Sequence, residues 1–170
     1  GGGLDRSGAR QVAFGSDRVD SFKGSGFADR LYGGGGADKL VGLGGVDYLQ
    51  GDQGNDILEG GLGNDVLDGG YGVDIYRWNL GDGSDTINDD DGKGFLVVNG
   101  RVPGVAFSSG GNTWISADGK LTLTRNSPLT IHTEDGSQIV LEDFDDGEFG
   151  IRLRSFPADD PTTSTILGDL

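Results

Sequence analysis

A glycine recurs every nine residues from Gly15 to Gly69, and no other feature of the chain restricts its fold as much. Cut from Gly15 in nines, the sequence reads GSDRVDSFK, GSGFADRLY, GGGGADKLV, GLGGVDYLQ, GDQGNDILE, GGLGNDVLD, GGYGVDIYR. Position one is Gly in all seven segments: Gly15, Gly24, Gly33, Gly42, Gly51, Gly60 and Gly69. Position six is Asp in all seven: Asp20, Asp29, Asp38, Asp47, Asp56, Asp65 and Asp74. Position eight is always large and apolar, from Phe22 through Leu31, Leu40, Leu49, Leu58 and Leu67 to Tyr76. Position four is Gly in the last five segments, as Gly36, Gly45, Gly54, Gly63 and Gly72. A flexible linker has no reason to hold an apolar residue in phase through all of them.

Each column has a physical role. Positions one to six form a turn, where Gly permits positive φ and lets neighbouring backbones approach closely. Positions seven to nine form a minimal strand, with position eight facing one side and its neighbours the other. Such units coil, stacking short strands in parallel so that each buries its apolar residue against the next turn. With two segments per superhelical turn, every second segment stacks on the same side. The aspartates then fall into two columns, Asp20, Asp38, Asp56 and Asp74 on one and Asp29, Asp47 and Asp65 on the other.

Carboxylates stacked at the strand spacing of about 4.8 Å repel each other, and a positive charge between them removes the repulsion. The whole chain is biased the same way, with a formal net charge of -15 from 28 acidic and 13 basic residues. That balance argues against nucleic acid and anionic membrane surfaces as partners. Calcium suits the columns, because it takes 6–8 oxygen ligands in tolerant geometry and turn carbonyls complete the set. Magnesium prefers a strict octahedron and keeps its waters. Zinc calls for His or Cys, and the array has neither. One apolar side chain per nine residues cannot offset the entropy of ordering the other eight. Coupled binding and folding is therefore expected, with a disordered acidic chain that orders around the ion.

The columns GGxGxDxUx resemble the RTX, or hemolysin-type, calcium-binding repeat, over residues 15–77 and more loosely to Asp91. The resemblance implies a parallel β-roll with calcium between same-side turns. It also implies secretion from a Gram-negative bacterium by a type I apparatus, with folding triggered by extracellular calcium. On the family pattern, carbonyls of positions one to four join the position-six aspartate. The matching residues are Gly33, Gly34, Gly36, Gly42, Gly45, Gly51, Gly54, Gly60, Gly61, Gly63, Gly69, Gly70 and Gly72. About five calcium ions are expected, three on one side and two on the other. Arg18 and Phe27 stand at position four beside Asp20 and Asp29, which marks those two segments as a different, capping kind of turn. At the other end WNLGDGSDTI (78–87) breaks the period by two residues, and its Asp82 and Asp85 are candidates to close the last site.

From Gly94 the texture changes to β-type runs between turn signals: Phe95–Val98, Val105–Phe107, Thr113–Ser116, Leu121–Thr124, Leu129–Thr133, Ile139–Leu141 and Ile151–Leu153. Asp118-Gly119 and Asp135-Gly136 predict hairpins. The expected fold is all-β, a parallel β-roll followed by a small antiparallel β capping unit that covers the roll's open end. The expected divisions are an N-terminal flank at 1–14, the roll at 15–91, the cap at 92–156 and a linker to a further segment at 157–170. From the abrupt ending the chain is expected to be part of a larger protein, whose other domains are its expected partners.

Catalysis is not expected. His132 is the only histidine, and no nucleophile-elbow pattern surrounds Ser127 or Ser137. Glu142, Asp143, Asp145, Asp146 and Glu148 read as a solvated acidic turn, with a further cation site or carboxylate pair as the alternative. Trp78 and Trp114 read as packing residues, with a sugar site as the alternative. No run is long and apolar enough to span a membrane as a helix. The leading expectation is a calcium-responsive folding module within a secreted toxin, enzyme or adhesin. The alternative is a glycan- or protein-binding adhesion module that uses the C-terminal β unit.

Overall fold

The structure, a computed structural model, describes residues 9–154. The expected linker at 157–170 and the first eight residues of the expected flank lie outside them. Among the described residues there are sixteen strands and no helix. Ten belong to the repeat region: β1 (Val12–Phe14), β2 (Ser21–Lys23), β3 (Arg30–Gly35), β4 (Lys39–Gly45), β5 (Tyr48–Gln53), β6 (Ile57–Gly63), β7 (Val66–Asp68), β8 (Ile75–Trp78), β9 (Asp85–Asn88) and β10 (Phe95–Val98). Odd-numbered strands pair in parallel in one sheet and even-numbered strands in another. Val12 thus pairs with Arg30, and Phe22 with Leu40, two segments further on. This is the two-segment superhelical turn that the period predicts.

Between the two sheets lies a single apolar column. Leu31, Leu40, Leu49, Leu58, Leu67 and Tyr76 are all buried, and Ile87 and Leu96 extend the column beyond the repeats. The latter two keep step despite an altered period. Val66 pairs with Thr86 and Ile75 with Phe95, each two residues later than the repeat would give. The extra residues are taken up in the loop that contains Asn79 and Asp82, where the Asp82 amide donates to the Asn79 carbonyl.

Two features of the turns differ from the sequence expectation. The strands β3 to β6 run for six or seven residues, not three, because the ladder continues into the glycine positions. Turns stacked in register exchange main-chain hydrogen bonds just as strands do, for example from Gly44 to Ser25 and from Tyr71 to Asp52. In the last five segments positive φ is also required at position two, not only at position four. Gly34, Gly61 and Gly70 meet that requirement freely, whereas Leu43 (φ 83) and Asp52 (φ 74) adopt it with a side chain.

The C-terminal unit comprises β11 (Gly104–Gly110), β12 (Thr113–Ser116), β13 (Thr122–Arg125), β14 (Leu129–His132), β15 (Gln138–Leu141) and β16 (Ile151–Arg154). Strands β11 to β15 form an antiparallel meander, with the expected turns at Asp118-Gly119 and Asp135-Gly136. The meander joins the odd sheet through β15, which runs parallel to β9. The even sheet ends on β10, which is met by Phe149. Both sheet edges at this end are thereby covered, as an open solenoid requires.

Candidate metal centre

The position-six aspartates sit at the inner corner where each turn enters its strand. From Asp29 to Asp74 every one is at most 2% exposed. Burying a row of carboxylates is costly unless each oxygen has a partner. One oxygen of each does. The amides of Asp20, Asp38 and Asp56 donate to Oδ1 of Asp38, Asp56 and Asp74, at 2.7, 2.7 and 2.8 Å. In the other column the amides of Asp29 and Asp47 donate to Asp47 and Asp65 at 2.7 and 2.8 Å. The Asp65 amide continues this line to Oδ1 of Asp85 at 2.9 Å, so Asp85 takes the position-six place of the interrupted segment.

The second oxygen behaves differently along the array. Oδ2 of Asp38, Asp47, Asp56, Asp65 and Asp74 is buried without any hydrogen-bond partner. Each faces the position-one glycine of its own segment. A β-carbon built on Gly42, Gly51 or Gly60 would lie 2.3 Å from Oδ2 of Asp47, Asp56 or Asp65. The same β-carbon on Gly42 or Gly51 would lie 2.5 or 2.6 Å from the carbonyl oxygen of Gly60 or Gly69 in the turn above. Position one is therefore glycine because oxygens converge there, whereas position four needs both close approach and positive φ.

In the first two segments that oxygen is satisfied from within the chain. Oδ2 of Asp20 accepts from the amide and hydroxyl of Ser16, both at 2.8 Å. Oδ2 of Asp29 accepts from the amide of Ser25 at 2.6 Å and its hydroxyl at 2.9 Å. The Gln11 amide supplies the partner for Oδ1 of Asp29. Serine at position two, Ser16 and Ser25, is thus the signal of a self-satisfied turn. Arg18 and Phe27, on which the sequence expectation rests that distinction, do not have positive φ in the structure. Asp82 is also committed locally, since its Oδ2 accepts from the Asn79 amide at 2.6 Å.

The electrostatics follow the same division. Hydrogen bonds from Ser16 hold the Asp20 carboxyl below the usual carboxylate range. Burial pushes Asp47 and Asp65 up to about 6, and Asp74 and Asp85 up to about 7, with neighbouring aspartates adding to the rise. Asp38 and Asp56 shift in the same direction, again chiefly through burial. Among the described residues no three acidic or histidine side chains meet at one point. What recurs is an orphaned carboxylate oxygen facing main-chain carbonyl oxygens. That all-oxygen donor set, with no nitrogen or sulfur, fits a hard cation of tolerant geometry such as calcium.

The remaining residues singled out in the sequence have ordinary structural places. His132 lies in β14, opposite Thr122 and Gln138. The Asp135 carboxylate accepts from the Thr133 hydroxyl and from the amides of Ser137 and Gly81, and so closes its turn onto the roll. Glu148 and Asp146 accept from the amides of Asp145 and Leu153. Trp78 is 1% exposed in the core, and Trp114 packs against it.

Residues 14–49 and 50–77 match the RTX calcium-binding nonapeptide repeat, in four copies. No curated protein matches the chain. Among solved structures, the chain is similar to the AlgE6R3 subunit of the Azotobacter vinelandii mannuronan C5-epimerase, at 27% identity over 100% of this chain and 92% of that one, with a TM-score of 0.36.

Proposed function

We propose, from the premise that residues 14–49 and 50–77 are RTX calcium-binding nonapeptide repeats, that this chain is a calcium-responsive folding module of a larger secreted bacterial protein. The supporting observation is the set of buried, partnerless Oδ2 atoms on Asp38, Asp47, Asp56, Asp65 and Asp74. Each would donate to one calcium ion, and the glycine carbonyls of positions one to four would complete the sphere. That gives about five inter-turn ions, since calcium draws 6–8 oxygens from such mixed sets. Without the ion, each of these buried carboxylates keeps its amide bond at Oδ1 but has nothing to satisfy Oδ2. With it, the same burial becomes favourable, because a cation held only by the folded state stabilises that state.

A module of this kind remains unfolded where free calcium is scarce and orders where it is plentiful. That behaviour suits export as an extended chain through a type I apparatus, followed by folding outside the cell. The cargo, whether toxin, enzyme or adhesin, would lie elsewhere in the parent protein, and the module itself is assigned no catalysis. A titration of the full chain with calcium, followed by far-ultraviolet circular dichroism, is expected to convert a disordered spectrum to a strand spectrum cooperatively. Magnesium at the same concentrations is expected to leave the disordered spectrum in place. A strand spectrum already complete in chelator, unchanged by calcium, would refute the proposal.

A further inference from the structure

Beyond the last recognisable repeat, the turn DDDGKGFLV (89–97) stacks on the segment that begins at Gly69. Its alignment follows from main-chain hydrogen bonds. The Gly69 amide donates to the Asn88 carbonyl, as Gly15 does to Tyr32, which puts Asp89 at position one. The Phe95 amide donates to the Asp74 carbonyl, as Ile75 does to Asp56, which puts Gly94 at position six. The repeat's glycine and aspartate have therefore changed places. In space the exchange is compensated. A β-carbon built on Gly94 would lie 2.3 Å from Oδ2 of Asp89. In the repeats a β-carbon on the position-one glycine meets the aspartate of position six in the same way. The carboxylate thus reaches the turn's interior from the opposite side.

Two oxygens at this end are buried without a hydrogen bond of ordinary geometry: Oδ2 of Asp74, a residue 0% exposed, and Oδ1 of Asp89, whose carboxylate is also approached by the amides of Gly92 and Lys93. A third oxygen stands beside them. Tyr76 is the one tyrosine in the position-eight column, and its hydroxyl donates to Asp89 and to the Asn88 carbonyl, each at 2.9 Å. A β-carbon on Gly69 would meet that hydroxyl together with Oδ2 of Asp74 at 2.5 Å. At the corresponding place beside Gly33 and Gly51 the second oxygen is a glycine carbonyl of the next turn. The tyrosine hydroxyl substitutes for it where the repeat stops.

We propose that Asp74, Asp89 and the Tyr76 hydroxyl form a terminal site for a hard divalent cation, built by exchanging glycine and aspartate between positions one and six. The site closes the even-sheet column, which would otherwise end on a buried carboxylate whose Oδ2 has no partner. It rests on the calcium reading above and adds a residue from outside the repeat motif to the ligand set.

The test counts bound calcium per full-length chain by equilibrium dialysis at a concentration that saturates the parent. Asp89→Asn keeps the size of the side chain and its bond from Tyr76, and is expected to bind one ion fewer while retaining the strand spectrum. The triple exchange Asp89→Gly/Gly94→Asp/Tyr76→Leu restores the repeat pattern, the leucine removing the Tyr76 ring that would stand 2.7 Å from a β-carbon at Gly94, and is expected to bind the parent number. An Asp89→Asn chain that binds as many ions as the parent overturns the proposal. Should Asp89→Asn not fold, the triple variant decides: the parent number supports the site, and a lower or a higher number overturns it. A parent chain that binds no calcium refutes the module reading itself, a result distinct from either of these.

Discussion

Replacing Gly54 by alanine is expected to abolish ordering of the array at calcium concentrations that fold the parent, or to raise the calcium midpoint by more than about tenfold. The reason is steric and local. The new β-carbon would fall 1.5 Å from the carbonyl oxygen of Gly36 in the turn below. Both groups are backbone, so no side chain can move aside. The two turns cannot separate without breaking the 2.9 Å bond from Gly36 to Gln53 that stacks them, and the Gly54 turn is held on its other side by its own 2.9 Å bond to Tyr71. Gly54 also has φ 143, where an alanine is strained. Overpacking costs about 1–3 kcal/mol and each lost hydrogen bond about 1 kcal/mol. Together with the strain these take up a large part of the roughly 5–15 kcal/mol that stabilises a typical domain. Gly26 is the control, since a β-carbon there meets nothing within 4 Å. Gly26→Ala is expected to leave the calcium midpoint within about twofold of the parent, equivalent to less than about 0.5 kcal/mol. A Gly54→Ala chain that titrates like the parent would show that the turns are not stacked as described.

The second large effect is one of pH. In chelator, lowering the pH from about 8 to about 5 is expected to increase strand content, opposite to the usual acid denaturation of carboxylate-stabilised proteins. Asp47 and Asp65 have folded values of about 6, and Asp74 and Asp85 of about 7, all above the model-peptide value of 3.8. A carboxyl whose value is raised by folding favours the folded state while protonated. Its contribution is complete below about 4 and is lost as the pH rises through 6 to 7. Metal-free chain at neutral pH is therefore driven open by its own ionised column. Calcium reverses the dependence, because protons then compete with the ion, and its affinity is expected to fall below about pH 6. Circular dichroism across this range, with and without calcium, checks both signs. A metal-free chain whose strand content falls on acidification would contradict the account.

How much of this was legible in the sequence depended on whether phase was preserved. Gly15 to Tyr76 keep strict register, so both the pairing of every second segment and the two aspartate columns could be read directly. The match of residues 14–49 and 50–77 to the RTX repeat agrees with that reading. After Trp78 the two inserted residues shift the phase. Phe95–Val98 was recognised as a strand but not as the partner of β8, because its repeat can be seen only once main-chain bonds supply the alignment. For the same reason Asp89 and Gly94 could not be assigned repeat positions from the sequence. The positive φ of Leu43 and Asp52 was hidden because those residue types ordinarily argue against it. Ser16 and Ser25 were legible in principle. Serine at position two donates an amide and a hydroxyl to the aspartate four residues on, and it occurs only in the two segments that lack glycine at position four.

The central claim is that the orphaned oxygens are ligand atoms, and the most direct measurement of it is a crystal structure of the chain grown with calcium. The account predicts ions in the gaps between same-side turns, about 2.3–2.6 Å from Oδ2 of Asp38, Asp47, Asp56, Asp65 and Asp74 and in contact with turn carbonyls. A well-ordered roll with those gaps dry, and calcium held only by exposed carboxylates such as Asp17 and Asp90, would contradict it.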